Sequence, residues 1–128
     1  MSQSLAKYLF VGIGGFIGSV LRYGCSGFVY RIAGDRFPLG TLTVNFIGCF
    51  VIGFVMMLFE ERWLVSPTIR LFLTVGILGG FTTFSTFSFE TIEIFRGGNF
   101  SLGFLNVAGS LVLCLAATWA GAVAARLF

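Results

Sequence analysis

From Gly76 to Ser88 the chain reads Gly-Ile-Leu-Gly-Gly-Phe-Thr-Thr-Phe-Ser-Thr-Phe-Ser, so glycines, hydroxyls and regularly spaced phenylalanines interrupt a segment that is otherwise apolar for the width of a membrane. Glycine and β-branched threonine both weaken a helix. In hydrocarbon, an unwound turn leaves amides and carbonyls without partners at a cost of several kcal/mol each, so a break here needs protein or a polar pathway beside it. Beyond the break, Phe84 and Phe87 stand three apart on one helical face, and Thr83, Thr86 and Glu90 fall on a neighbouring one. An aromatic ring has a positive edge, so two ring edges beside a hydroxyl track can favour a dehydrated anion without holding it as tightly as a full charge would.

Other polar residues fit the same chemistry. Asn45 is the strongly polar side chain of its apolar segment, and its amide either bonds two helices together or presents N–H donors to an anion. Arg22, near the end of the first apolar segment, either snorkels to the interface or draws anions into an aqueous mouth. Asn106, Ser110, Cys114 and Thr118 recur every four residues and draw a weakly polar line along one face of the last segment. Such hydroxyls often bond the carbonyl one turn back, so this line gains weight only beside the track at Thr83 and Thr86.

The elements that position these residues follow from composition. Of 128 residues, 57% are hydrophobic and only 10% charged, against about 25% charged in an ordinary soluble domain. A spanning helix needs about 20 apolar residues. Four fit the sequence, at about 5–32, 39–59, 69–95 and 100–127, with the third broken near 79–83. The expected architecture is an all-α membrane protein in a single four-helix transmembrane domain, with no residues left for a soluble one. Lys7 precedes an apolar run that continues past signal length without a convincing small-residue cleavage site. Gly14 and Gly18 form a small-xxx-small pair for close helix packing, Pro38 suits the start of the second span, and Ser66 with Pro67 suits the start of the third.

Several functions are disfavoured. The basic residues are scattered singly, which argues against nucleic acid. The chain has no histidine and no nucleophile with a base at readable spacing, which argues against an enzyme. Cys25, Cys49 and Cys114 fall on three different spans without short-range pairing and read as small packing residues. The charge cluster Glu60-Glu61-Arg62 reads as a solvated interface, and Glu90 and Glu93 as acids near the opposite interface, where they need little explanation.

With four spans, Lys7, Arg62, Arg70 and Arg126 share one side of the membrane and Arg31, Arg36 and Arg96 the other. The positive-inside rule therefore has almost nothing to act on. We read this near tie as a chain that inserts both ways and pairs with its inverted self. Size agrees, since four packed helices leave little central space and a pathway forms more easily between copies.

Taken together these residues resemble the Fluc (CrcB) family of small fluoride channels. The resemblance covers essentially the whole length and rests on Gly15-x-x-Gly18-x-x-x-Arg22-Tyr23, on Asn45, and on the specific string Gly79-Gly80-x-Thr82-Thr83-Phe84-Ser85-Thr86-Phe87-Ser88. It implies an antiparallel homodimer with two pores in a bacterial inner membrane, passing fluoride passively down its gradient and so exporting what accumulates when HF enters and dissociates in the cytoplasm. It implies that Phe84 and Phe87 line the path, that Asn45 donates to the ion, that Arg22 faces a vestibule, and that the polar track comprises Thr83, Thr86, Ser110 and Thr118. It also implies a central structural Na+ held by backbone carbonyls of Gly79 and Thr82 from both subunits. Asn106 and Cys114 stand where the resemblance implies Tyr-like and Ser-like residues. Two rival readings are a dual-topology proton-coupled transporter, for which Glu90 is the remotely suitable carboxylate, and a non-conducting assembly protein.

Overall fold

Short polar signals start and stop each helix in the computed structural model, which describes residues 2–62 and 64–128. Ser2 caps α1 (Gln3–Ala33) by accepting from the Leu5 N–H at 3.3 Å, and the helix ends at Gly34, whose φ of 76° lies in the left-handed region glycine tolerates. After Pro38 comes α2 (Leu39–Glu61). Ser66 caps α3 (Pro67–Leu71) through the Ile69 N–H at 3.3 Å, with Pro67 in the first turn where its missing N–H costs nothing. A π-helical segment (Phe72–Leu78) and α4 (Gly79–Phe81) continue that third span. Then α5 (Phe84–Arg96) leads through Gly97 and Gly98 to α6 (Phe100–Ala125), capped by Asn99 on the Leu102 N–H at 3.3 Å.

Grouped by span, the helices Gln3–Ala33, Leu39–Glu61, Pro67–Arg96 and Phe100–Ala125 are all long and apolar enough to cross a membrane, and the described residues contain no strand. Large apolar side chains such as Phe16, Phe28, Phe104 and Leu115 face outward, as lipid or a second protein surface requires. The chain is a multi-pass membrane protein.

Packing within the subunit is organised by glycine. A Cβ on Gly14 would meet the Phe72 carbonyl at 2.7 Å, and one on Gly18 would collide with the Ile77 carbonyl, so α1 lies backbone to backbone against the π-helical segment. On the other side, Gly53 of α2 rests on the Thr118 carbonyl and Gly121 of α6 on the Phe50 carbonyl. These two backbone seams, α1 with the third span and α2 with α6, frame the polar residues between them.

Within the third span the glycines and threonines divide the labour. Gly79 keeps helical dihedrals (φ −63°, ψ −37°), and Gly80 serves contact, since a Cβ there would meet the Gly15 carbonyl at 2.6 Å. Extended dihedrals fall on Thr82 (φ −87°, ψ 158°) and Thr83 (φ −151°, ψ 117°).

Candidate functional site

At Thr83 the backbone N–H has no helical partner and finds Asn45 instead. The Asn45 Nδ2 donates to the Thr83 carbonyl at 2.9 Å, and the Thr83 N–H donates to Asn45 Oδ1 at 2.7 Å. In an uninterrupted helix that N–H would bond the Gly79 carbonyl, so the amide of α2 substitutes for a missing turn. Of the two roles open to Asn45, joining helices is the one its geometry performs; its second Nδ2 hydrogen remains free. The Thr83 hydroxyl then starts α5, accepting from the Thr86 N–H at 3.2 Å and donating to Thr86 Oγ1 at 3.0 Å.

A cavity of ≈390 Å³ opens on this junction. Its wall combines Asn45, Thr83, Phe84, Phe87, Ser110 and Thr118, and also includes Gly79 and Thr82. Residues from three spans thus converge on one space. The Phe84 and Phe87 ring centroids lie 5.4 Å apart at an interplanar angle of 49°, and Phe84 is 74% exposed on the isolated subunit. The Thr118 hydroxyl donates to the Cys114 carbonyl at 3.1 Å, the local bond expected of an intramembrane threonine.

A second cleft, of ≈330 Å³, also reaches Thr83. Arg22 lines it with Ser19, Ser26, Thr41 and Thr86, and Thr83 belongs to both spaces. The Arg22 Nη1 reaches the Thr82 carbonyl at 3.5 Å. Thr86 therefore sits with Arg22 and not with the phenylalanines, and Thr83 is the lining residue the two spaces share.

The polar line of α6 splits. Ser110, Cys114 and Thr118 face the cavity, whereas Asn106 is 1% exposed and donates through Nδ2 to Thr91 Oγ1 at 2.9 Å. Thr91 in turn donates to the Phe87 carbonyl at 2.7 Å, so Asn106 steadies the helix that carries the rings. Ser110 Oγ donates loosely to Asn106 Oδ1, at 3.4 Å.

Glu90 lines a cleft with Asp35, Arg36, Pro38 and Glu93 at the loop end of its span, and is more than a solvated acid there. Its Oε1 accepts from Tyr30 Oη at 2.9 Å and Thr41 Oγ1 at 2.8 Å, while Oε2 is buried without a protein partner. An acid so placed needs both hydroxyls, because a buried carboxylate lacking donors is costly. Sequence reasoning missed Tyr30 and Thr41 in this role. The available signal was spacing: Thr41, Asn45, Cys49 and Gly53 repeat every four residues and mark one inward face of α2. Glu93 behaves as expected of an exposed acid, pairing with Arg96 at 2.7 Å, and Glu61 pairs with Arg126 at 3.5 Å on the surface. Among the described residues no group of three or more His, Cys, Asp or Glu could hold a metal ion.

The chain is similar in sequence to known proteins over most of its length. The family model for CrcB-like proteins, also described as Camphor Resistance (CrcB), matches residues 9–122. Curated relatives carry the name fluoride-specific ion channel FluC. That of Geobacter sulfurreducens is 51% identical over 122 residues, covering 95% of this chain and 98% of the relative. That of Geotalea daltonii is 48% identical over 118 residues, covering 92% and 95%. That of Opitutus terrae is 49% identical over 123 residues, covering 94% and 93%.

Proposed function

The chain belongs to the CrcB family, and on that premise we propose that it is a fluoride channel, not an enzyme, passing the ion from the Arg22 cleft past Thr83 to the cavity edged by Phe84 and Phe87. The observation that carries this reading is the convergence on one cavity of an amide, several hydroxyls and two phenylalanine rings, with no acid or lysine among its lining residues.

Fluoride is small and strongly hydrated, so conduction requires donors that replace water without trapping the ion. The hydroxyls supply this balance. Thr83 and Thr118 already donate to protein acceptors, so each must exchange a local bond for the ion, and the net gain per contact stays small. Ser110 starts from a longer, weaker bond and turns more readily. The free N–H of Asn45 and the ring edges of Phe84 and Phe87 add attraction without a fixed positive charge. Arg22 supplies that charge only at the entrance, raising the local anion concentration before dehydration.

The subunit works, in this reading, as half of an antiparallel homodimer carrying two pores. The near-even sorting of basic residues supports it, as does the outward exposure of Phe84 beside a cavity that a second copy would close. The interruption of the third span at Thr82 and Thr83 is what brings backbone, hydroxyls and rings to that surface.

The residues present are also compatible with a structural Na+. The Gly79 carbonyl has lost its usual donor to Asn45, and Gly79 and Thr82 share the cavity wall. Carbonyl oxygens suit a hard cation, so Gly79 and Thr82 of two subunits would supply four such ligands, the Thr82 carbonyl giving up its long 3.5 Å contact with Arg22 to do so. When bound, the ion would hold the two interrupted spans together.

The decisive experiment loads liposomes containing the purified protein with KF or KCl, adds valinomycin, and records halide release with selective electrodes. Fluoride should leave rapidly while chloride stays. Equal release of both, or of neither, would remove the reading.

A further inference from the structure

The second and fourth spans, separated by one intervening crossing, run in the same direction, and Gly53 and Thr118 bring their backbones into contact. One helical turn back along each, at the same face, stand Cys49 and Cys114. Both thiols are partly accessible, and both line the cavity of Phe84 and Phe87. Cys25 lies on α1 and lines no part of that space. What reads in sequence as three unrelated packing cysteines is therefore one pair and one single residue.

We propose that Cys49 and Cys114 form a two-sulfur site for a soft, thiophilic metal cation such as Hg2+, and that filling it obstructs the cavity. Thiolates select soft metals, and two thiols lining one space at the same level of two parallel helices offer mercury two sulfur ligands. Binding replaces the two thiol protons: each sulfur forms a bond to the metal and each proton passes to water, so a doubly charged ion leaves a neutral centre. A neutral centre has no desolvated charge to stabilise and can persist in an apolar wall. Because the site faces the same space as Ser110, Thr118 and the rings, the metal occupies volume a permeating ion needs. The obstruction rests on the fluoride reading; the binding does not.

Two readouts separate them. Purified protein is titrated with HgCl2, following sulfur-to-mercury absorption in the ultraviolet, and the metal is then stripped with a competing monothiol. Two sulfurs held by one scaffold resist a competitor that removes metal from a single cysteine, so the wild type and Cys25→Ser should need at least about tenfold more competitor than Cys49→Ser or Cys114→Ser. Cys49→Ala and Cys114→Ala serve in place of any serine variant that fails to elute as a single species. In liposomes, HgCl2 should cut fluoride release of the wild type and Cys25→Ser at least about fivefold relative to each protein's own metal-free rate, with much less effect on the Cys49 and Cys114 variants. Stripping of wild type and Cys49→Ser at the same competitor concentration would overturn the site. A wild type that binds the metal through the pair but conducts no fluoride without it would sink the channel and leave the site standing; one that binds it through the pair yet conducts unchanged would overturn the obstruction.

Discussion

Asn45 and Thr83 are joined by two hydrogen bonds of opposite sense, a side-chain amide on α2 pairing with the N–H and C=O of a residue whose backbone has left the helix. The pairing is the one a neighbouring strand would make, supplied by a single side chain. It explains how Thr83, 7% exposed and at membrane depth, keeps extended dihedrals without orphaned backbone groups.

Removing that amide therefore acts on stability as well as on conduction. Asn45→Ala leaves the buried Thr83 N–H unpaired, while the Thr83 carbonyl keeps the first bond of α5, and should lower stability by about 1–3 kcal/mol. Asn45→Asp keeps the acceptor for the Thr83 N–H but sets an oxygen against the Thr83 carbonyl, so it should do no better. Chemical unfolding in detergent reads the loss, and amide exchange at Thr83 should accelerate in both variants. A fully stable Asn45→Ala with slow exchange at Thr83 would show that the backbone is satisfied by something else.

The two rings should behave differently from the amide. Phe84 is exposed and Phe87 only partly buried on the subunit, so Phe84→Ile or Phe87→Ile keeps an apolar side chain where little packing is at stake. Each should nearly abolish fluoride release while leaving expression, folding and subunit association intact. Flux and size-exclusion profiles measured on the same preparations check this, and normal flux in both variants would remove the rings from the path.

Much of this was legible in sequence because hydropathy and chemistry coincide. Four apolar runs mark four helices, and the polar residues that gather around the main cavity, Asn45, Thr83, Ser110 and Thr118, are conspicuous where nearly everything else is apolar. Less legible was which partner each group finds. Glycine at 79 and 80 suggested unwinding, yet Gly79 stays helical and Gly80 serves contact with Gly15, because a small residue answers both needs and sequence does not say which applies. Asn106 shares a spacing with Ser110 and Thr118, but helix rotation turns it onto Thr91. Glu90 was legible as an acid near the loop end of its span, but its partners were not, since Tyr30 and Thr41 come from other spans.

That cluster carries a prediction of its own. Glu90 Oε1 shares the hydroxyls of Tyr30 and Thr41, which lie 3.2 Å from each other. Tyr30→Phe deletes one donor to a carboxyl that already has an unpartnered oxygen, and should destabilise by about 1.5–3 kcal/mol. If the acid is structural in this way, a proton gradient across liposomes should not drive fluoride uphill in the wild type. Accumulation against its gradient, lost in Glu90→Gln, would instead favour the proton-coupled transporter.

Glycines of one helix should separate by position. Gly18 is buried where its missing side chain lets α1 touch the Ile77 carbonyl, so Gly18→Ala forces backbone apart from backbone, with no flexible side chain to yield. Overpacking of that kind should cost about 1–3 kcal/mol and, by shifting the span that ends at Thr82, should reduce fluoride release as well. Gly12 lies on the same helix, and a Cβ there would have open space for 4 Å around it. Gly12→Ala removes a helix-weakening residue without a clash, so the subunit should be unchanged or more stable by up to about 1 kcal/mol. Unfolding midpoints for the two variants, taken alongside flux, make the comparison internal to one helix. Equal losses at both positions would mean that glycine in α1 is needed for backbone freedom rather than for close approach to the third span.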